Sequence, residues 1–278
     1  MGRAVRRWLL GLGVLIMGGA LLAQTGVASA SPAARTHAAA QVAGAAYVPP
    51  GQVLTLGMHG TAVRNMQARL AALKYYPGRI DGQFGLDTLE AVWAFKEVQG
   101  FPINFANQDV VSIAVERRLV HPLAPKVLVP RGGSMRVEVN MTNETLVLYN
   151  RNKVELISHV STGAGCLPNQ GCGWDTPTGN FHALSYTNGW IQVPLGQMYN
   201  SVWFIGTVFA IHGELDSSVP FYPASHGCVR IPFDIANVFH TLIKIPGQQH
   251  YQGLGTPIYI EHPGHAPTAA TRVSSSPA

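Results

Sequence analysis

The chemistry in this chain concentrates in Ser225-His226-Gly227-Cys228-Val229-Arg230, read together with Ile211-His212-Gly213 upstream. A cysteine attacks as its thiolate, and an unassisted thiol is mostly protonated at neutral pH, so a nucleophilic Cys228 needs a base. His212 is the candidate, because imidazole titrates near neutrality and can take a proton and later return it to a leaving amine. The base must also be held in one tautomer, which the Gly213 carbonyl could do by accepting the other ring N–H. Gly227 would let a substrate carbonyl approach the main chain, where the amides of Gly227 and Cys228 could serve as an oxyanion hole. His226 is placed to orient or polarise a substrate. Ser225 and Arg230 are candidates for substrate contact, the guanidinium being a fork for a carboxylate. Each residue has an ordinary alternative as well: a small core cysteine, a hydrogen-bonded structural histidine, a solvated surface arginine.

The chain has three cysteines. Cys166 and Cys172 bracket a short step containing Pro and Gly, and in an exported protein a disulfide between them is the natural reading. A metal pair is the alternative, but no second Cys pair or close His cluster accompanies it. Cys228 is then left over, and an unpaired thiol outside the cytoplasm is an oxidation liability unless it has a use.

The elements that must position these residues have a period of two. Met135, Val137 and Val139 alternate with Arg136, Glu138 and Asn140, and Leu146, Leu148, Val154 and Leu156 flank a turn at 150–153. This pattern predicts an antiparallel sheet with one wet face. Further strands are expected over 180–186, 198–203, 205–212 and 257–261. A helix over 234–243 carries Ile235, Val238, Phe239 and Leu242 on a common face. Residues 134–262 therefore read as a mainly β domain. Before them, three helical patterns occur: Val63, Met66, Leu70, Leu73; then Thr88, Ala91, Val92, Phe95, Val98; then Val111, Ala114, Val115, Leu119. They predict a small all-α three-helix bundle over 53–122. Pro122 and Pro125 break the pattern and open a linker at 123–133.

The ends of the chain are of different character. Arg3, Arg6 and Arg7 precede an uncharged, mostly apolar run from Trp8 to Leu22, and Ala28-Ser29-Ala30 supplies small residues for cleavage, so 1–30 reads as a signal peptide. An uncleaved membrane anchor is the alternative, though the run is shorter than the ~20 residues that comfortably span a bilayer. Residues 31–52 are a linker, and 263–278, rich in Ala, Thr, Ser and Pro, are expected to be a disordered tail. The formal charge of +5 comes largely from the first three arginines; without them 16 basic residues face 14 acidic ones. No Lys/Arg run remains to track a phosphate backbone, which argues against nucleic acid.

Two resemblances attach to these residues. Tyr75-Tyr76-Pro77-Gly78-Arg79-Ile80-Asp81-Gly82-Gln83-Phe84-Gly85, with Gln67, Leu70, Thr88, Ala91, Val92 and Phe95, resembles the peptidoglycan-binding domain of the three-helix type. Its last third, 101–119, lacks the second Asp-Gly turn often seen there. Phe84, Val92 and Phe95 are expected to be core, whereas Tyr75, Tyr76 and Arg79 are expected to be exposed and available to sugar or peptide. Farther on, Ile211-His212-Gly213 and Ser225-His226-Gly227-Cys228-Val229-Arg230, with Val160-Ser161-Thr162-Gly163, Thr176-Pro177-Thr178-Gly179-Asn180-Phe181 and Gly255-Thr256-Pro257-Ile258, are similar to the L,D-transpeptidase catalytic domain of the YkuD type. The Cys166–Cys172 insertion and the short spacing from His212 to Ser225, which implies a compact lid over 214–224, depart from that pattern.

The second resemblance implies a YkuD-type β-sandwich or barrel-like fold and a cysteine enzyme needing no metal or organic cofactor. Cys228 would attack the carbonyl between the third stem residue and D-alanine of a peptidoglycan tetrapeptide, release D-alanine, and pass the acyl group to the amine of a second stem as a 3→3 cross-link. Peptidoglycan stems would be both donor and acceptor, carbapenem-type β-lactams would acylate Cys228, and the protein would work outside the cytoplasm at the wall. An L,D-carboxypeptidase would use the same pair with water as acceptor. A papain-like endopeptidase fits less well, since there the cysteine normally precedes the histidine, and a non-catalytic wall-binding protein would leave the Cys/His pair unexplained.

Overall fold

The computed structural model describes residues 47–214 and 219–264. The expected signal peptide at 1–30, most of the linker at 31–52 and most of the tail at 263–278 lie outside the described residues. The first elements are β1 (Leu54–Thr55), α1 (Thr61–Ala72), α2 (Leu86–Gln99), β2 (Val110–Val111) and α3 (Ile113–Val120). In α1, Val63, Met66 and Leu70 are buried at helical spacing. Helix α2 is buried nearly all round, from Thr88 to Lys96, so it cannot be a surface helix of the bundle. It ends at Gly100, which takes the left-handed conformation and returns its N–H to the last turn. A two-stranded ladder of β1 on β2, unforeseen in the sequence, ties the start of this unit to α3. Buried Gln67 latches the Asp81-Gly82 turn, accepting the Gly82 N–H and donating to the Gln83 carbonyl.

The second half follows as β3 (Arg136–Asn140), β4 (Thr145–Asn150), β5 (Lys153–His159), β6 (Gly165–Leu167), β7 (Gly171–Trp174), β8 (Gly179–His182), β9 (Ser185–Val193), β10 (Gly196–Ile205), β11 (Phe209–Gly213), β12 (Val229–Ile231), α4 (Phe233–Leu242) and β13 (Pro257–Glu261). Two sheets, β5-β4-β3-β13-β8 and β12-β11-β10-β9, enclose one core. Val137, Val139, Leu146, Leu148, Ile258 and Ile260 from the first meet Val202, Phe204, Ile211, Val229 and Ile231 from the second, with Phe239 of α4. Strand β9 was unforeseen over 187–193, because Asn188-Gly189 reads as a turn.

The expectation of one wet face fails for the first sheet. Val147, Tyr149 and Ile157 point away from the inter-sheet core, yet they are buried against Leu89, Trp93, Phe95 and Tyr75. Helix α2 lies on that face, which also explains its apolar circumference. Tyr75, expected at the surface, is buried edge-on to Phe95 at 5.4 Å, and the backbone beside it bonds Ile157 to Lys74. Arg79 is exposed and Tyr76 half-buried. The charged positions of β3 are buried too: Arg136 pairs with Glu138 at 2.7 Å and lies over the Tyr149 ring. Glu138 also receives the Leu128 N–H, so the segment before β3 folds back over the strand.

Candidate active site

Strands β11 and β12 run parallel, pairing Ile211 with Val229 and His212 with Arg230. Ile211, Val229 and Ile231 are fully buried and face the inter-sheet core. Side chains alternate along a strand, so Ala210, His212, Cys228 and Arg230 take the other face. Cys228 accordingly packs against Met198, Trp203 and Ala210. Strand pairing thus brings Cys228 and His212 together as diagonal neighbours on one face.

His212 is buried, and its Nδ1 donates to the Gly213 carbonyl at 2.9 Å, which leaves Nε2 as the acceptor. Burial pushes its pKa down to about 4, the Gly213 bond opposing and the Arg230 charge assisting. His212 is therefore neutral at pH 7. Cys228 is the free cysteine among the described residues, and burial pushes its thiol up, against the Ala210 backbone and the Arg230 charge. At neutral pH both shifts favour the uncharged forms, a neutral thiol and a neutral imidazole on the same face.

The turn before Cys228 is held from within. Ser225 Oγ donates to the Cys228 carbonyl at 2.5 Å and accepts the Gly227 N–H at 3.0 Å. Ser225, a candidate for substrate contact in the sequence, is 1% exposed, and its hydroxyl is engaged in shaping the turn. The Gly227 amide, one of the two expected oxyanion donors, is likewise committed to the turn through Ser225 Oγ. Gly227 has φ +111°, and a Cβ there would collide with Phe209. On the far side of β12, Ser161 and Arg230 exchange both backbone bonds, and the Thr162 carbonyl receives the N–H groups of Ala224 and Ser225. Thr162 is held in turn by Glu144, which accepts its N–H at 2.6 Å and its hydroxyl at 2.7 Å. Glu144 lies in a loop with φ +48°, and nothing in its local sequence marks this role.

Arg230 is paired with Glu214, Nε to Oε2 at 3.0 Å. An arriving carboxylate would have to compete with Glu214. His226 is turned toward the hairpin of β6 and β7, which the Cys166–Cys172 disulfide closes. Its Nε2 donates to Gln170 Oε1 at 2.7 Å, and its ring stands edge-on to Trp174 at 4.8 Å. Burial and Arg230 push the His226 pKa down. The hairpin reaches the rest of the site where Gly163, whose N–H bonds Thr176 Oγ1, leaves no room for a Cβ against Trp174 and Thr176.

Residues 134–260 match the family described as the L,D-transpeptidase catalytic domain (YkuD), and residues 59–104 match a putative peptidoglycan binding domain. The second match contains α1 and α2; α3 lies beyond it. Among curated proteins no match is found. Among solved structures, the L,D-transpeptidase of Xylanimonas cellulosilytica (residues 123–326) is 28% identical with a TM-score of 0.63, over 77% of this chain and all of that one. An L,D-transpeptidase of Stackebrandtia nassauensis is 18% identical with a TM-score of 0.43, over 78% of this chain and all of that one. The transpeptidase LdtMt1, solved in complex with imipenem, is 19% identical with a TM-score of 0.35, over 46% of this chain and 59% of that one.

Proposed function

We propose, from the match of residues 134–260 to the L,D-transpeptidase catalytic domain (YkuD) and of 59–104 to a putative peptidoglycan binding domain, that the protein is an exported enzyme forming 3→3 cross-links in the cell wall. The observation that carries this is the face shared by Cys228 and His212, with His212 neutral and its tautomer fixed by Gly213. Cys228 Sγ adds to the carbonyl carbon between the third stem residue and D-alanine while His212 Nε2 takes the thiol proton. The Cys228 amide is directed to the resulting oxyanion. The C–N bond then breaks, D-alanine leaves as the amine with the proton from His212, and a thioester remains. An amine of a second stem attacks the thioester, loses its proton to His212, and restores the thiol.

Export is supported by the charged and apolar pattern of residues 1–30 and by the Cys166–Cys172 disulfide, a bond favoured outside the cytoplasm. In this reading 1–30 is the signal peptide, 53–122 engages the wall, and 134–262 does the chemistry. Holding a polymeric substrate beside the site raises its local concentration. A carbapenem-type β-lactam would be opened by the same attack, its ring nitrogen taking the His212 proton and its acyl group staying on Cys228.

Incubation with a disaccharide tetrapeptide, followed by mass spectrometry, tests the reading. A cross-linked dimer with release of D-alanine supports transpeptidation, and a bare tripeptide supports the carboxypeptidase. A Cys228→Ala variant as active as wild type contradicts both.

A further inference from the structure

The stretch Val219–Ala224, which leads into Ser225, is fastened on one side by the helical unit. The Val219 N–H donates to Glu90 Oε1 of α2 at 2.7 Å, with both residues buried. The Pro220 carbonyl accepts from His159 Nε2 at 2.9 Å, and the other nitrogen of that ring meets Glu97 of α2 at 2.8 Å. Trp93 of α2 stands edge-on to both His159 and Phe221, and Phe105 packs against Phe221 and Tyr222. On the other side, Ser161 Oγ donates to the Tyr222 carbonyl and accepts the Ala224 N–H. The next residue is Ser225, whose hydroxyl holds the turn of Cys228. Hydrogen bonds at Val219, Pro220, Tyr222, Ala224 and Ser225, joined by the backbone of 219–225, thus connect α2 with the turn of the candidate nucleophile.

We propose that the helical unit is a positioning part of the active site as well as a wall-binding one: Glu90, through Val219, and the Glu97–His159 pair, through Pro220, fix the strap 219–224 and so the turn that presents Cys228. This extends the transpeptidase reading and rests on it for the reaction assayed. Glu90 and His159 are positioning residues, since they act through the strap and touch no substrate. Because a small misplacement of reacting groups far from the mutated site can cost up to about 100-fold, loosening the strap should lower kcat and leave KM nearly unchanged.

The test uses the full chain and a soluble disaccharide tetrapeptide, so that affinity for polymeric wall does not enter. Glu90→Ala should lower kcat about 10- to 100-fold and speed amide exchange across 219–228. Glu90→Gln keeps a carbonyl oxygen to accept the Val219 N–H and should stay within about threefold of wild type. Phe105→Ala, at a residue 73% exposed, keeps the test open if Glu90→Ala does not fold, and should give a smaller fall in the same direction. Iodoacetamide alkylation of Cys228, followed by mass, reports the geometry of the thiol whatever reaction the enzyme catalyses; wild type that alkylates normally but leaves the tetrapeptide untouched would overturn the function and leave the positioning testable. Wild-type kcat, exchange and alkylation in both Glu90→Ala and Phe105→Ala, or equal losses in Glu90→Ala and Glu90→Gln, would overturn the proposal.

Discussion

Two buried histidines in this protein carry opposite charge states. His212 and His159 are both almost wholly removed from water, and burial alone would drive both to the neutral form. His212 follows that rule and falls to about 4, for its carbonyl partner is outweighed and Arg230 adds a like charge nearby. His159 reverses it. Burial pushes it down, but the Glu97 carboxylate and the Pro220 carbonyl outweigh burial and raise it to about 9. Burial also raises Glu97, to about 7, against the attraction of His159. The His159 direction decides the pair, because its ring faces an acceptor on each nitrogen and is satisfied only with both protons present. Partners, more than burial, separate a neutral histidine from a charged one.

The comparison can be broken by exchanging what each ring supplies. His212→Gln should cost about 10²- to 10⁴-fold in turnover while the fold persists, as measured by tetrapeptide consumption and circular dichroism. His159→Gln or Glu97→Ala should instead lower unfolding stability by about 3–5 kcal/mol, the cost of leaving one member of a buried pair unmatched, as read from denaturant midpoints.

pH sharpens the contrast, with opposite signs. The folded pKa of His159 is raised, so its contribution is full below about 6.5 and is lost as pH rises toward about 9. The stability gap between wild type and His159→Gln should therefore narrow over that window by about 3 kcal/mol. The folded pKa of His212 is lowered, so a buried neutral ring is penalised as pH falls from about 6.5 toward about 4. Wild type should therefore lose stability relative to His212→Gln over that lower window, by a similar amount. Activity should fall as pH drops through about 4, when the base becomes charged. Smallest in effect is the third histidine: Cys166→Ser with Cys172→Ser should loosen the hairpin that holds His226 by about 2 kcal/mol, seen as faster local amide exchange and a modest loss of turnover.

His212 and Cys228 were legible in the sequence because each sits in a local motif and one parallel pairing joins them. His159 was not, since its partners lie 62 and 61 residues away and the strand ending at it reads as an ordinary edge of the Ser161-Thr162-Gly163 segment. Glu90, Glu97 and Lys96 mark α2 as solvent-facing on charge, although tertiary contacts bury Glu90 and Lys96 and pair Glu97 with His159. That packing also defeats the expectation of a wet sheet face, because alternation shows which residues share a face and not what covers it. The Gly213 carbonyl accepts the His212 ring N–H, whereas Ser225 and Gly227 have their polar groups turned inward to each other.

The central claim is that Cys228 forms a thioester with a stem peptide using neutral His212 as base. The most direct measurement is intact-protein mass spectrometry after rapid acid quench of tetrapeptide mixtures with wild type, Cys228→Ala and His212→Gln. The account requires an acyl adduct mapped to Cys228 in wild type, none in Cys228→Ala, and markedly slower formation in His212→Gln; an adduct of equal yield in Cys228→Ala, or equal rates with and without His212, would contradict it.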